Sequence, residues 1–275
     1  MQIILIGDPV AHSRSPAMQN AALAHLGLHQ HHYRAVQTPL ADLAARVADL
    51  RGPDYLGANV TLPHKQAVIP YLDELEPTAA QIGAVNTIYK DAAGRLIGAN
   101  TDAPGLLGDL TEAGLKLHGQ HAVLLGASGA ARAAAFALVG AGLSHLTIVN
   151  RSLERASELV SSLHAGCADL PALHALALND STLPSLISSC HLLINATSLG
   201  WHGDETPLAD PPVGAHTVVY DMVYRQTRLL REASARGATT RDGAGMLVHQ
   251  GALALTRWVG QPAPLAVMWA AFRGL

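Results

Sequence analysis

His121-Ala122-Val123-Leu124-Leu125-Gly126-Ala127-Ser128-Gly129-Ala130-Ala131-Arg132 reads as a buried strand, a glycine-rich turn and the opening of a helix. The apolar run is strand length, Gly126 permits a sharp reversal, and the alanines beyond it favour a helix to about residue 142. Glycine in such a turn lets the backbone approach a dinucleotide pyrophosphate, whose charge the helix N-terminus stabilises. The strict G-x-G-x-x-G/A fingerprint falls on Gly126, Ser128 and Ala131, so the middle glycine is a serine.

Working outward, strands are expected over 145–149, 192–194 and 218–220, with a helix over 152–163. That alternation predicts a doubly wound parallel sheet with right-handed crossovers. Upstream, strands are expected over 2–6, 31–36 and 55–61, with helices over 15–26 and after Pro39. Pro63 stops the third strand. Segments 85–89 and 95–99 flank the hairpin signal Asp91-Ala92-Ala93-Gly94 and give the first sheet an antiparallel portion. After Asp242-Gly243-Ala244-Gly245 the chain reads helical over 246–258 and 264–272. The expected fold class is α/β with two domains. One is a small α/β domain with a mixed sheet, 1–102, completed by helices in 244–275. The other is a Rossmann-like doubly wound domain, 103–243.

Bulk properties agree with this layout. The chain has 275 residues, of which 49% are hydrophobic and 4% aromatic, a mixture suited to helices packed on parallel sheets. A net charge of −3 without basic runs gives nucleic-acid binding no electrostatic support. Cys167 and Cys190 lie far apart, which argues against a disulfide framework or a cysteine zinc site and for a reducing cytoplasm. The apolar run at the amino terminus is too short for a signal peptide, and no stretch approaches membrane-spanning length. His29, His31 and His32 cluster near a strand start and read as surface or strand-end residues; no metal is expected.

Past the glycine turn, the next strand ends in Asn150-Arg151-Ser152, with Arg155 one turn into the following helix. An NAD site usually places a carboxylate there for the ribose 2′-hydroxyl. Here a guanidinium is offered instead, which suits a 2′-phosphate, so NADP is favoured. The chain also carries a candidate reducing site. Asn59 and Thr61 alternate along one strand and share a face. Lys65 follows Pro63 near the start of an expected short helix. Asp102 stands just before another helix, where it would cap it; beside the lysine it would orient the ammonium and hold it charged until an oxygen needs the proton. Ser15 before Pro16 has the pattern of a helix N-cap, and Ser13 that of a loop hydroxyl.

In order and wording, Ser13-Arg14-Ser15-Pro16, Asn59-Val60-Thr61-Leu62-Pro63-His64-Lys65, Asn86-Thr87 and Asn100-Thr101-Asp102, with the glycine turn, resemble the shikimate dehydrogenases from Gly7 to Gln250. The resemblance implies reversible NADPH-dependent reduction of 3-dehydroshikimate to shikimate, in the pathway to aromatic amino acids, in a cleft between domains. It makes the first domain the substrate domain and the second the NADP domain. It implies that Ser13 and Ser15 hold the substrate carboxylate, that Thr61, Asn86 and Asp102 bind the ring hydroxyls, that Asn59 also belongs to the substrate site, and that Lys65 and Asp102 form the catalytic pair. Tyr224 and Gln250 would complete the substrate pocket. Gly126, Ala127, Ser128, Gly129, Ala130, Asn150, Arg151, Ser152 and Arg155 would hold NADP, with Met222 and Gly243 on its nicotinamide side and Thr197 in a loop near it. The expected partners are small molecules only, for a monomer or homodimer. The alternatives are an NAD-dependent quinate/shikimate dehydrogenase and a catalytically silent shikimate-binding regulator. The sequence departs from the family at Ser128, at Trp201 after Gly200, where Met is usual, and in the short spacing from Tyr224 to Thr227.

Overall fold

Alternation of side chains along Gln2–Gly7 puts Ile3 and Leu5 on one face of a strand and Ile4 and Ile6 on the other, all of them buried. A central strand with two apolar faces needs cover on both sides. The computed structural model, which describes residues 1–274, builds its first sheet around this strand. The elements run β1 (Gln2–Gly7), α1 (Ser15–His25), β2 (His32–Gln37), α2 (Leu43–Asp49), β3 (Tyr55–Val60), β4 (Glu74–Leu75), α3 (Pro77–Ile82), β5 (Thr87–Lys90) and β6 (Leu96–Ala99). Then follow α4 (Asp102–Glu112), β7 (His121–Leu125), α5 (Gly129–Gly140), β8 (His145–Asn150), α6 (Leu153–Gly166), β9 (Ala172–Ala177), α7 (Leu183–Ser189) and β10 (Leu192–Asn195). The chain closes with β11 (Val218–Asp221), α8 (Arg228–Ala235), β12 (Thr239–Arg241), α9 (Ala244–Val259) and α10 (Leu265–Arg273). It divides into two compact units, Met1–Gly105 with Leu247–Leu275, and Leu106–Met246.

In the first unit the strand order is β2-β1-β3-β5-β6-β4. β1 pairs in parallel with β2 and β3, while β3–β5 and β5–β6 are antiparallel. The register sets Ile3 opposite Tyr33, Leu5 opposite Asn59 and Asn59 opposite Thr87. Polar groups on these strands therefore meet across the sheet. On one face Ile3, Leu5, Met18, Leu23 and Tyr33 pack with Val248, Leu255, Trp258 and Met268 of α9 and α10. On the other, Ile4, Ile6, Val60 and Ile88 pack with Leu43 and Val47 of α2.

The second unit holds an all-parallel sheet in the order β12-β11-β10-β7-β8-β9. The order reverses between β7 and β10, so their carboxyl ends open the crevice where such sheets take ligands. Val123, Leu125, Val149, Leu193 and Val219 pack with Leu183, Ile187, Leu229 and Leu230. The edge strands β4, β9 and β12 and the helices α3, α7 and α8 are additions to the elements expected from periodicity. Among the described residues no helix is long and apolar enough to cross a membrane. His29 and His32 are exposed, and His31 is half-buried.

Candidate active site

Lys65 lies in a run of turns, and no α-helix starts there; the nearest helical piece is a single 3-10 turn at Ile69–Tyr71. This corrects the helix expected at Lys65. Pro63 removes one donor, Pro70 follows soon after, and the stretch between them is too short to pass the cost of helix nucleation. The segment is fixed by other means. The Val85 N–H donates to the Lys65 carbonyl at 2.7 Å, the His64 N–H to the Thr61 carbonyl at 2.9 Å, and the buried His64 ring Nε2 lies 2.6 Å from the Thr38 carbonyl. Since that carbonyl can only accept, Nε2 carries the proton.

Lys65 Nζ donates to Asp102 Oδ2 at 2.6 Å, with 11% and 6% of the two side chains exposed. The other oxygen, Oδ1, accepts from Asn86 Nδ2 at 2.8 Å. The helix cap expected from Asp102 is supplied by a neighbour instead. Asn100 Oδ1 accepts from the N–H groups of Asp102 and Ala103 at 3.1 and 3.2 Å. Asn100 thus satisfies the helix end, and both oxygens of Asp102 turn to side chains. Asn86 is the hub of this site: its Oδ1 accepts from the Thr101 N–H at 2.7 Å, and its Nδ2 reaches Thr101 Oγ1 at 2.9 Å and Gln250 Oε1 at 3.2 Å. Gln250 is 8% exposed and is anchored through Nε2 to the Leu247 carbonyl at 2.9 Å. Asn59 donates to the Asn86 carbonyl at 3.0 Å and to Thr87 Oγ1 at 3.2 Å, so toward a ligand it has only acceptor capacity left. Thr61 lies just past β3 and is half-buried.

At the start of α1 the cap position falls on Arg14, and Ser15 sits inside the helix, buried, without a capping bond. This corrects the N-cap pattern read at Ser15. Pro16 is accepted at the second helical position as readily as at the first, which moves the boundary by one residue. The Ser15 N–H instead donates to Ser13 Oγ at 3.2 Å, leaving the Ser13 proton for a ligand. Tyr33, Thr87, Thr101 and Asn100 belong to this constellation and carry no distinctive spacing; the motif around Asp102 named the last two without assigning their work.

In the second unit, Gly126 adopts φ +115°, and a Cβ there would lie 3.1 Å from the carbonyl of Ala196. The positive φ favours glycine, and the nearby carbonyl leaves a Cβ little room. Ser128 occupies the N-cap of α5, yet its side chain does not cap; the hydroxyl donates to the Ala196 carbonyl at 3.3 Å. With Ala127, Gly129 and Ala130 it forms a concave turn whose first-turn N–H groups remain available to an anion. β8 ends in Asn150, whose Nδ2 donates to the Ser152 carbonyl at 3.0 Å. Ser152 caps α6 by accepting from the Arg155 N–H at 3.4 Å, and the side chains of Arg151 and Arg155 are exposed. A pyrophosphate at α5 and a 2′-phosphate beside Arg151 and Arg155 fit these donors.

The loops after β10 and β11 share a buried polar lock that sequence spacing does not reveal. Asn195 Nδ2 donates to Asp221 Oδ1 at 2.9 Å, and Thr227 Oγ1 donates to Asp221 Oδ2 at 2.7 Å. Burial pushes the Asp221 carboxyl up to about 6, although these donors and the Val223 N–H oppose the rise. Thr197 is held through its Oγ1, 2.7 Å from Asn195 Oδ1. The Met222 N–H donates to the Asn195 carbonyl at 2.9 Å. At Gly243 a Cβ would fall 2.2 Å from the Met222 carbonyl oxygen, so only glycine fits. Tyr224 packs edge-on against Trp201, ring centroids 4.6 Å apart at 83°, and Arg225 Nη1 donates to the Trp201 carbonyl at 2.9 Å. The unusual tryptophan and the shortened run to Thr227 therefore form one piece of structure. Tyr224 belongs to the second unit and Gln250 to the first.

Comparison with known proteins agrees with this geometry. Family models described as the shikimate dehydrogenase substrate binding domain, shikimate / quinate 5-dehydrogenase and the shikimate 5'-dehydrogenase C-terminal domain match residues 5–88, 109–200 and 243–271. The shikimate dehydrogenase (NADP(+)) of Symbiobacterium thermophilum is 48% identical over 271 residues, covering 96% of this chain and 90% of that one. The shikimate 5-dehydrogenase of Thermus thermophilus, solved in complex with NADP(H) and shikimate, superposes with a TM-score of 0.87 at 39% identity, covering 100% and 99% of the two chains. The quinate dehydrogenase of Corynebacterium glutamicum, solved with NAD, gives 0.90 at 30% identity, covering 100% and 99%. With the lysine–aspartate pair, the asparagine hub and the glycine turn in place and such likeness along its whole length, the chain belongs to the shikimate dehydrogenase family.

Proposed function

We propose that this protein catalyses the reversible, NADPH-dependent reduction of 3-dehydroshikimate to shikimate, a step toward the aromatic amino acids. The observation that carries the reading is the Lys65–Asp102 pair, 2.6 Å apart and largely buried, joined to Asn86. When bound, the nicotinamide supplies the hydride. Lys65 donates a proton from Nζ to the ring oxygen that gains charge, and takes it back in the reverse direction. Asp102 keeps that lysine aimed between turnovers. Ser13, with its own proton free, and Ser15 bind the carboxylate. Thr61, Asn86 and Gln250 select the ring hydroxyls, and Asn59 adds an acceptor. Tyr224 completes the set of groups around the substrate. The α5 N-terminus with Gly126 to Ala130 holds the pyrophosphate, Arg151 and Arg155 the 2′-phosphate beside Asn150 and Ser152, and Thr197, Met222 and Gly243 the nicotinamide side. Residues 1–102 and 244–275 serve as the substrate domain and 103–243 as the NADP domain of a cytoplasmic enzyme.

The absence of a carboxylate at the end of β8 favours NADP over the NAD used by a quinate dehydrogenase, and the intact Lys65–Asp102 pair favours an enzyme over a silent binding protein. Initial rates with shikimate and quinate, each with NADP and NAD, test the proposal. The highest kcat/KM is expected for shikimate with NADP. Preference for quinate with NAD, or no turnover at all, would overturn it.

A further inference from the structure

We infer that Tyr33 is a positioning residue for substrate binding, setting the Asn59 amide from behind the site; this rests on the shikimate reading above. Tyr33 is 2% exposed, and its phenol donates to Asn59 Oδ1 at 2.8 Å. The polarity of that bond is fixed, because Asn59 Nδ2 faces the Asn86 carbonyl, which only accepts. Burial holds the phenol far above its ordinary pKa, so it keeps this proton, while the nearby Ser15 hydroxyl partly offsets the rise.

From Tyr33 the donors all run one way. Asn59 Nδ2 donates to Thr87 Oγ1 at 3.2 Å, Thr87 Oγ1 to Asn86 Oδ1 at 3.1 Å, and Asn86 Nδ2 to Asp102 Oδ1 at 2.8 Å. Lys65 arrives at the other carboxylate oxygen. A buried chain of one polarity reinforces itself, and a break at its head leaves an acceptor unpaired. Tyr33 stands at that head, on β2, out of reach of the reacting carbon's partner groups Lys65 and Asp102 except through the chain. Its effect therefore falls on how well the site grips the substrate.

The test is Tyr33→Phe, Asn59→Ala and the double variant, each assayed for shikimate and NADP. The phenylalanine keeps the ring packed near Trp258, whose centroid lies 6.1 Å away. Tyr33→Phe should raise the shikimate KM about tenfold, the scale of one hydrogen bond, with kcat within about threefold and the NADP KM unchanged. In the double variant the two KM penalties should fall clearly short of multiplying, since one residue acts through the other. An unchanged shikimate KM, penalties that multiply in full, an equal rise in the NADP KM, or loss of cooperative unfolding would each overturn the inference. A parent protein without shikimate turnover would instead overturn the functional reading on which it rests.

Discussion

Replacing Asp102 by Asn separates the structural work of the Lys65–Asp102 pair from its chemical work. The carboxylate accepts on both oxygens, from Lys65 at 2.6 Å and from Asn86 at 2.8 Å. An amide has one oxygen and one NH2 group, so in either orientation a donor faces a donor and the Lys65 charge loses its partner. Removing one member of a buried pair costs about 3–5 kcal/mol, and the 11% and 6% exposure of these side chains points to the lower end, about 3 kcal/mol. For a chain of this size that is a fall of roughly 6–12 °C in the melting temperature. Turnover should fall by about 10²–10⁴, because the proton donor is no longer aimed. The double variant Lys65→Met/Asp102→Asn removes the orphaned charge, and most of the lost stability should return while activity does not. Thermal unfolding followed by circular dichroism, with NADPH absorbance for the rates, reads both quantities. An Asp102→Asn protein turning over within about threefold of the parent, or a double variant no more stable than the single one, would refute the reasoning.

Other outcomes follow from the second unit. Arg151→Ala should raise the KM for NADP about tenfold or more and leave that for NAD nearly unchanged, since only NADP offers a 2′-phosphate; equal losses in initial-rate assays would remove Arg151 from that role. Ser128→Gly gives up only a 3.3 Å bond to the Ala196 carbonyl and opens space beside the pyrophosphate. Titration calorimetry should therefore show NADP binding about two- to fivefold tighter, and weaker binding would make the hydroxyl a phosphate ligand. Asp221, raised from 3.8 to about 6, holds its proton more tightly folded than unfolded. Its stabilising contribution is full below about pH 4 and is lost as pH rises through 6, a change of about 2–3 kcal/mol. Asp221→Asn should flatten that part of the stability–pH curve in denaturant titrations, and parallel curves for the two proteins would count against the assignment.

The central strands were legible because burial on both faces writes a short apolar run into the sequence, as in Ile3 to Ile6 and Ala122 to Leu125. The edges were not. β9 reads Ala-Leu-His-Ala-Leu-Ala, as compatible with a helix as with a strand, and β12 is the polar triplet Thr-Thr-Arg. Their pairing is imposed by the sheet they join rather than by local preference. The site shows the same division. The motif around Lys65 and Asp102 announced two groups that the fold sets 2.6 Å apart. It did not reveal that Asn100 would take over the helix cap, nor that Tyr33 and Thr87 would orient the amides from neighbouring strands. Those duties depend on strand register, which spacing along the chain does not encode.

The core that joins Ile3, Leu5 and Met18 to Leu255, Trp258 and Met268 also has a consequence in time. On a ribosome, the sheet strands of the first unit and the helices α1 and α2 are made early, but α9 and α10 only after the whole of Leu106–Met246 has been synthesised. At roughly 5–20 residues per second that interval is on the order of ten seconds. Through it the part of the β1 face that α9 and α10 cover stands without them, with only α1 beside it. Gln250 arrives on α9, so the substrate half of the site is completed only after the whole second unit has been made, and a nascent chain cut short before that helix carries Lys65 and Asp102 without the glutamine that meets their hub.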